Sequence, residues 1–187
     1  MSLYKKKIIS NKKTLNKFAL VGKNIKIIDK VTINNKDKDQ MKIGNNVTMI
    51  NPNLFCFNRG LIKIGDYTYI GKDSQIDACK SVIIGKYCMI SNKVMIQDHN
   101  SHPIKKLDRR KQLVNLQKKP TNVYESLIKK INIGDDVWIG AEVTILKGVK
   151  IGSGSIIAAK TVVTKNVPPN SVFAGNPGKI VKKINQK

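Results

Sequence analysis

Branched apolar residues recur every six positions at Ile133, Ile139, Ile145, Ile151, Ile157 and Val163, without a slip. A beat of six matches neither the 3.6-residue helical period nor the two-residue strand period, and points to a coil built from flat, equal sides. Between beats, two residues before each next one, stand Val137, Val143, Val149, Ser155 and Thr161, small or branched residues suited to tight inward corners. With short slips allowed, the beat runs back through Val21, Ile27, Ile33; Ile43, Met49, Phe55; Ile64, Ile70, Ile76; and Ile84, Ile90, Ile96. Grouped in threes, these positions predict a three-sided parallel β-solenoid of about six turns, each of roughly eighteen residues. Stacked about 4.8 Å apart, the turns would form a prism roughly 25 to 30 Å long. Glycine follows the beat at Gly44, Gly65, Gly71, Gly85, Gly134, Gly140 and Gly152, as sharp corners without room for a Cβ require. An ordinary β-sandwich would give turn signals without this fixed phase.

The 187 residues, 41% of them apolar, suffice for one solenoid core and leave no room for a second large domain. The expected organisation is a basic N-terminal segment over 1–20, a β-helix over 21–166 interrupted at 97–132, and a tail over 167–187. Residues 1–24 are lysine-rich and lack a continuous apolar run, so neither a signal peptide nor a membrane span is expected, and the default location is cytoplasmic. Cys56, Cys79 and Cys88 show no Cys-x-x-Cys spacing and read as solenoid filler, neither disulfides nor a metal knuckle. The net charge of +23 is spread along the chain without interleaved aromatics, which disfavours nucleic acid and suits steering of an anionic substrate.

The beat breaks longest between Ile96 and Ile133, and resumes in phase. A long excursion from a compact repeat is usually functional. Here it holds both histidines of the chain, His99 and His102, in Asp98-His99-Asn100-Ser101-His102-Pro103-Ile104. Imidazole is the side chain best matched to proton transfer near neutral pH. The run Lys105, Lys106, Asp108, Arg109, Arg110, Lys111 is either a solvated tip or a bias toward acidic acceptors. Residues 112–130 are expected to fold over a neighbouring subunit or to lack order in part.

Three segments resemble the hexapeptide-repeat, left-handed β-helix acyltransferases: Ile133-Gly134-Asp135-Asp136-Val137-Trp138-Ile139-Gly140-Ala141, then Val163 to Pro169 with Ala174-Gly175-Asn176-Pro177-Gly178-Lys179, and the His102-Pro103 of the excursion. Within that family the chain looks most like the sugar and polysaccharide O-acetyltransferases. The resemblance implies a left-handed prism, acetyl-CoA as co-substrate, a homotrimer with sites between neighbouring prisms, and a loop histidine as general base. His102 is the favoured base. His99 is its rival, because some relatives carry an Asp-His-Asn-His string that is displaced here by one residue. The resemblance also implies a catalytic part for Trp138, which could instead be an outward aromatic wall. CoA is expected along the C-terminal turns, against the small residues Gly140, Ala141, Ala158 and Ala159. Lys160, Lys165 and Lys179 are the cations proposed for its phosphates. Gly178 departs from the alanine usual in that position.

Independently of any family, a sugar hydroxyl attacking a thioester needs an unprotonated imidazole nitrogen to take its proton. The ring's other nitrogen then needs an acceptor, for which Asp98 or a backbone carbonyl would serve. An N–H donor aimed at the developing oxyanion would lower the barrier. No metal is expected: two histidines three residues apart do not supply the three separated ligands of a zinc-dependent prism enzyme. The alternatives are an N-acetyltransferase acting on a nucleotide-linked amino sugar or an antibiotic, and a non-enzymatic scaffold.

Overall fold

The computed structural model describes residues 6–118 and 127–185. The chain winds as a left-handed β-helix of six coils, each contributing one short strand to each of three parallel faces. In chain order the first face begins with Leu20–Val21, the second with Lys26–Ile28 and the third with Val31–Asn34. Three inward ladders hold the coils in register. On the first face Val21, Ile43, Ile64, Ile84, Ile133 and Ile151 pair in succession. On the second the order is Ile27, Met49, Ile70, Ile90, Ile139, Ile157 and Phe173. On the third it is Ile33, Leu54, Ile76, Ile96, Ile145 and Val163. A period of two strand residues followed by a corner turns every sixth side chain inward, and a branched residue there fills the narrow interior at low rotamer cost. The residues between beats, Val137, Val143, Val149, Ser155 and Thr161, are all buried as well.

One expected position is corrected. Phe55 does not occupy the third ladder; Leu54 does, fully buried, while Phe55 pairs with Asn34 and Asp77 one step along the strand. The corner at Asn51-Pro52 is one residue shorter than its neighbours, since Thr32 pairs with Asn53, so the six-residue spacing contracts to five between Met49 and Leu54.

Both ends of the prism are closed by chain outside the expected repeat. Residues 6–20 form a strand, Lys7–Ile9, antiparallel to Val31–Asn34, and a short helix, Lys12–Leu15, capped by the Asn11 side chain on the Thr14 amide. Ile9, Leu15 and Ala19 are buried, so this basic segment also plugs the core. At the other end Ser171–Gly175 extends the second face and Gly178–Lys183 folds back against it as a hairpin. The excursion is shorter than expected at its ends, since Gln97 still pairs with Asp77 and Ile131 already pairs with Val82. It contains a helix, Lys106–Lys118, where no regular structure was foreseen. Residues 1–5, 119–126 and 186–187, parts of the expected N-terminal segment, excursion and tail, lie outside the described residues.

The ladder sets the stability of the whole prism. Ile90→Ala, in the middle of the second-face ladder, is expected to lower the unfolding free energy by about 2 to 5 kcal/mol in a urea titration.

Candidate functional site

The excursion leaves after the third face and returns to the first, so both of its ends lie at one corner. There the Lys129 amide donates to the Asp98 carbonyl at 2.9 Å, and the Gly148 amide donates to the Lys129 carbonyl at 3.0 Å. Asp98 is fully buried and its carboxylate accepts the backbone amides of Cys79 and Lys80, each at 2.7 Å. These bonds tie the loop's first residue to the preceding coil, so Asp98 anchors the loop, while the Nδ1 of His102 faces a different partner, Gln112. Burial pushes the Asp98 carboxyl above the usual carboxylate range, against the opposing pull of those amides. Asp77, 3% exposed, is raised by burial too, although Gln75 and Gln97 donate to its Oδ2 at 2.8 and 2.9 Å.

The two histidines have different settings. His99 is buried with its ring edge-on to Phe57, centroids 5.8 Å apart. It forms with Cys79 and Asp98 a group whose donor atoms all lie within 4.8 Å of one another. Burial pushes the Cys79 thiol up to about 12, so it holds its proton at neutral pH, and both Asp98 oxygens are engaged by amides. His102 is exposed, and its Nδ1 lies 2.9 Å from Oε1 of Gln112 on the loop helix. An amide oxygen only accepts, so Nδ1 is the donor in this contact, which in a neutral imidazole leaves the lone pair on Nε2. Arg109, on the same helix, donates to the carbonyls of Pro103 and Ile104 and so binds the turn after His102 to the helix. Neither Gln112 nor the helix carrying it was singled out from the sequence. The helix has exposed Leu107, Leu113 and Val114 on no common apolar stripe, so periodicity gives no sign of it.

Trp138 lies half exposed on the second face, paired with Met89 and Ile156. His102 and Trp138 belong to consecutive coils, as the unbroken beat requires, but they do not share an edge: the loop springs from the corner between the third and first faces. A single prism therefore does not bring the pair together by its strand order.

Gly140-Ala141 and Ala158-Ala159 stack on successive coils at the corner between the second and third faces. The Gly140 amide donates to the Ile157 carbonyl at 2.8 Å, and the Lys160 amide donates to the Ala141 carbonyl at 2.8 Å. A Cβ at Gly140 would fall 2.6 Å from the Ala159 nitrogen, so this coil step admits only glycine. Lys160 is exposed at the same corner. Thr161, next to it, packs against Gly178, where a Cβ would strike Phe173, and Lys179 follows. The absent alanine at Gly178 thus has a steric reason, because the buried Phe173 ring occupies its space. Lys165 stands apart, after Val162–Val163 at the corner from which the loop springs two coils earlier.

Residues 130–165 match the family model described as bacterial transferase hexapeptide, six repeats. WbbJ of Escherichia coli (strain K12), assigned to O-acetyl transfer in lipopolysaccharide biosynthesis, is 33% identical over 153 residues, 81% of this chain and 76% of that protein. The chain belongs to the hexapeptide-repeat transferase family. Its activity class is acetyl transfer. A maltose O-acetyltransferase from Clostridium difficile 630 superposes with TM-score 0.65 at 27% identity, covering 93% of this chain and 74% of that one. A galactoside acetyltransferase in complex with coenzyme A does so with TM-score 0.58 at 26% identity, covering 92% and 69%. No helix among the described residues is long and apolar enough to cross a membrane.

The buried Asp77 gives this corner a pH signature. A carboxyl whose folded pKa is raised makes the fold pay for its charge above that pKa, and the cost vanishes as pH falls through it toward the unfolded value of 3.8. Asp77→Asn is therefore expected to raise Tm at pH 7.5, and the gain over the parent protein to shrink steadily as thermal scans are repeated toward pH 4.

Proposed function

We propose that the chain transfers the acetyl group of acetyl-CoA to a hydroxyl of a sugar or surface polysaccharide, with His102 as general base. The observation that supports this reading is the His102–Gln112 contact, which suits a neutral imidazole that donates at Nδ1 and accepts a proton at Nε2. The acceptor oxygen attacks the thioester carbon as its proton passes to Nε2. The tetrahedral intermediate collapses by breaking the carbon–sulfur bond, and the departing thiolate takes the proton from the imidazolium. Trp138 is the donor proposed for the oxyanion, through its indole N–H. His99, buried beneath Phe57, offers no ring edge to a large acceptor and holds the loop root instead. The sugar-acetylating relatives and the CoA-bound neighbour support the substrates. The pantetheine arm belongs at Gly140, Ala141, Ala158 and Ala159, with Lys160 and Lys179 toward the phosphates; Lys165 lies on another corner and is the weakest of the three. A cytoplasmic location goes with the use of acetyl-CoA.

A homotrimer completes the site in this reading. His102 and Trp138 project from different parts of one prism, so the histidine loop of one copy serves the thioester groove of the next. His102→Ala is expected to lower kcat by about 10² to 10⁴-fold in a CoA-release assay over a panel of sugars, with His99→Ala sparing kcat once folding is matched. Full turnover in His102→Ala, or transfer only to an amine of a nucleotide-linked sugar, would replace the reading. Gln112→Ala should lower kcat without changing the KM for acetyl-CoA and shift the acidic limb of the pH profile, as expected of a residue that positions the general base. Co-expressing His102→Ala with Trp138→Ala should restore about a quarter of the wild-type sites if each site draws on two copies, and none if it draws on one.

A further inference from the structure

The corner between the first and second faces carries a column of left-handed backbone positions: Asn24, Asn46, Tyr67, Tyr87, Asp136, Gly154 and Asn170. Five of these are the asparagine, aspartate or glycine that such a conformation favours. The other two are tyrosines, with φ of 56° and 55°, and no other left-handed position among the described residues takes an aromatic ring. They gain no burial in exchange, for Tyr67 and Tyr87 are 55% and 57% exposed. Their rings stack on each other, centroids 5.1 Å apart and planes 9° from parallel, and so form a flat outward surface. A backbone cost that secures exposed aromatic area marks a position kept for binding.

The strip continues onto the second face. Two residues beyond each corner position stand Tyr69, Met89 and Trp138, paired in register across successive coils, with Met89 56% and Trp138 49% exposed. Every tyrosine among the described residues, and the one tryptophan of the chain, therefore lies on this single edge. Phe18, Phe55, Phe57 and Phe173 are buried or half-buried elsewhere. Along the prism, the small residues proposed for the pantetheine arm begin at the Trp138 coil and run toward the C-terminus. The aromatic strip runs the other way, toward the N-terminus, over two further coil steps of about 4.8 Å each. Polar groups flank it, with Asp66 and Lys86 paired at 3.8 Å beside the tyrosines. Flat rings bordered by hydrogen-bonding groups fit pyranose rings, which present a C–H face to the aromatic surface and hydroxyls around the rim.

We propose that Tyr67, Tyr87, Tyr69 and Met89 form an acceptor subsite for a carbohydrate chain of more than one sugar residue, running from Trp138 toward the N-terminal coils. It rests on the reading of the chain as a sugar acetyltransferase, and makes its acceptor an oligosaccharide or polysaccharide.

The test uses the single tryptophan as reporter. The full chain, without CoA, is titrated with maltotetraose, chitotetraose and the α2,8-linked tetramer of sialic acid, and with the corresponding monosaccharides, while tryptophan emission is followed. At least one tetramer should bind at least about tenfold more tightly than its monosaccharide. The double variant Tyr67→Asn/Tyr87→Asn places the residue already used at Asn24 and Asn46 into the same backbone. It should bind that tetramer about tenfold more weakly, with a Tm equal to or above that of the parent protein and an unchanged affinity for CoA. Unchanged tetramer binding in the double variant, or failure of all three tetramers to bind, overturns the proposal. A lowered Tm with altered mass in light scattering also overturns it, and assigns the strip to contact between copies. Glycan binding is read without acetyl transfer, so a chain that binds the tetramers yet acetylates no hydroxyl refutes the transferase reading and leaves the subsite standing.

Discussion

Everything in this molecule depends on backbone approaching backbone from coil to coil at strand spacing. The branched residues of the three ladders make that approach favourable, because each side chain is covered above and below by another of the same kind. Glycines such as Gly140 make it possible at the steps where a Cβ would collide with the next coil. Because neighbouring coils are locked by parallel pairing, a residue's distance along the chain converts directly into a face and a level. The site inherits this rule: the small-residue corner and the aromatic strip lie along the two edges of the second face, with Trp138 between them, without any side chain having to arrange them.

The loop breaks the rule and is repaired at its root. A segment of this length would spread its ends apart unless something fixed them, and Asp98 does so from inside the protein. Its carboxylate takes two amides of the preceding coil, while its carbonyl receives the returning chain at Lys129. Burying a carboxylate is costly, as its raised pKa records, and two short amide bonds are the compensation that makes it tolerable. Within five residues the loop root changes character: Asp98 and His99 are buried, while His102 stands exposed with its Nδ1 on Gln112 of the loop helix.

The fold was legible because solenoid ladders write themselves into the sequence at a fixed period. Where that period failed, the cause was local. Leu54 takes the ladder place expected of Phe55 because the Asn51-Pro52 corner is one residue short, and an inward Phe and an inward Leu look alike to periodicity. The plug formed by Ile9, Leu15 and Ala19 was hidden because those residues are scattered among lysines and follow no beat. The histidines were found because they are rare, but which of them is exposed was not, since burial in a loop depends on what folds over it. Gln112 left no mark at all: its role comes from a helix that returns toward its own loop, a contact of ten residues' separation that no repeat encodes.

The tyrosine pair shows what a regular fold offers to anyone looking for function. In an irregular protein a single left-handed tyrosine has no neighbours to be judged against. Here the same corner recurs at Asn24, Asn46, Asp136 and Asn170, each with the residue type that its backbone favours, so the prism supplies its own control. Asn24 and Asn46 use their equivalent positions to hydrogen-bond coil to coil at 3.0 Å, a stabilising contact that Tyr67 and Tyr87 forgo for exposed rings. A repeat that departs from its own rule at two adjacent levels, on the edge that also carries Trp138, separates what the sequence needs for folding from what it keeps for recognition.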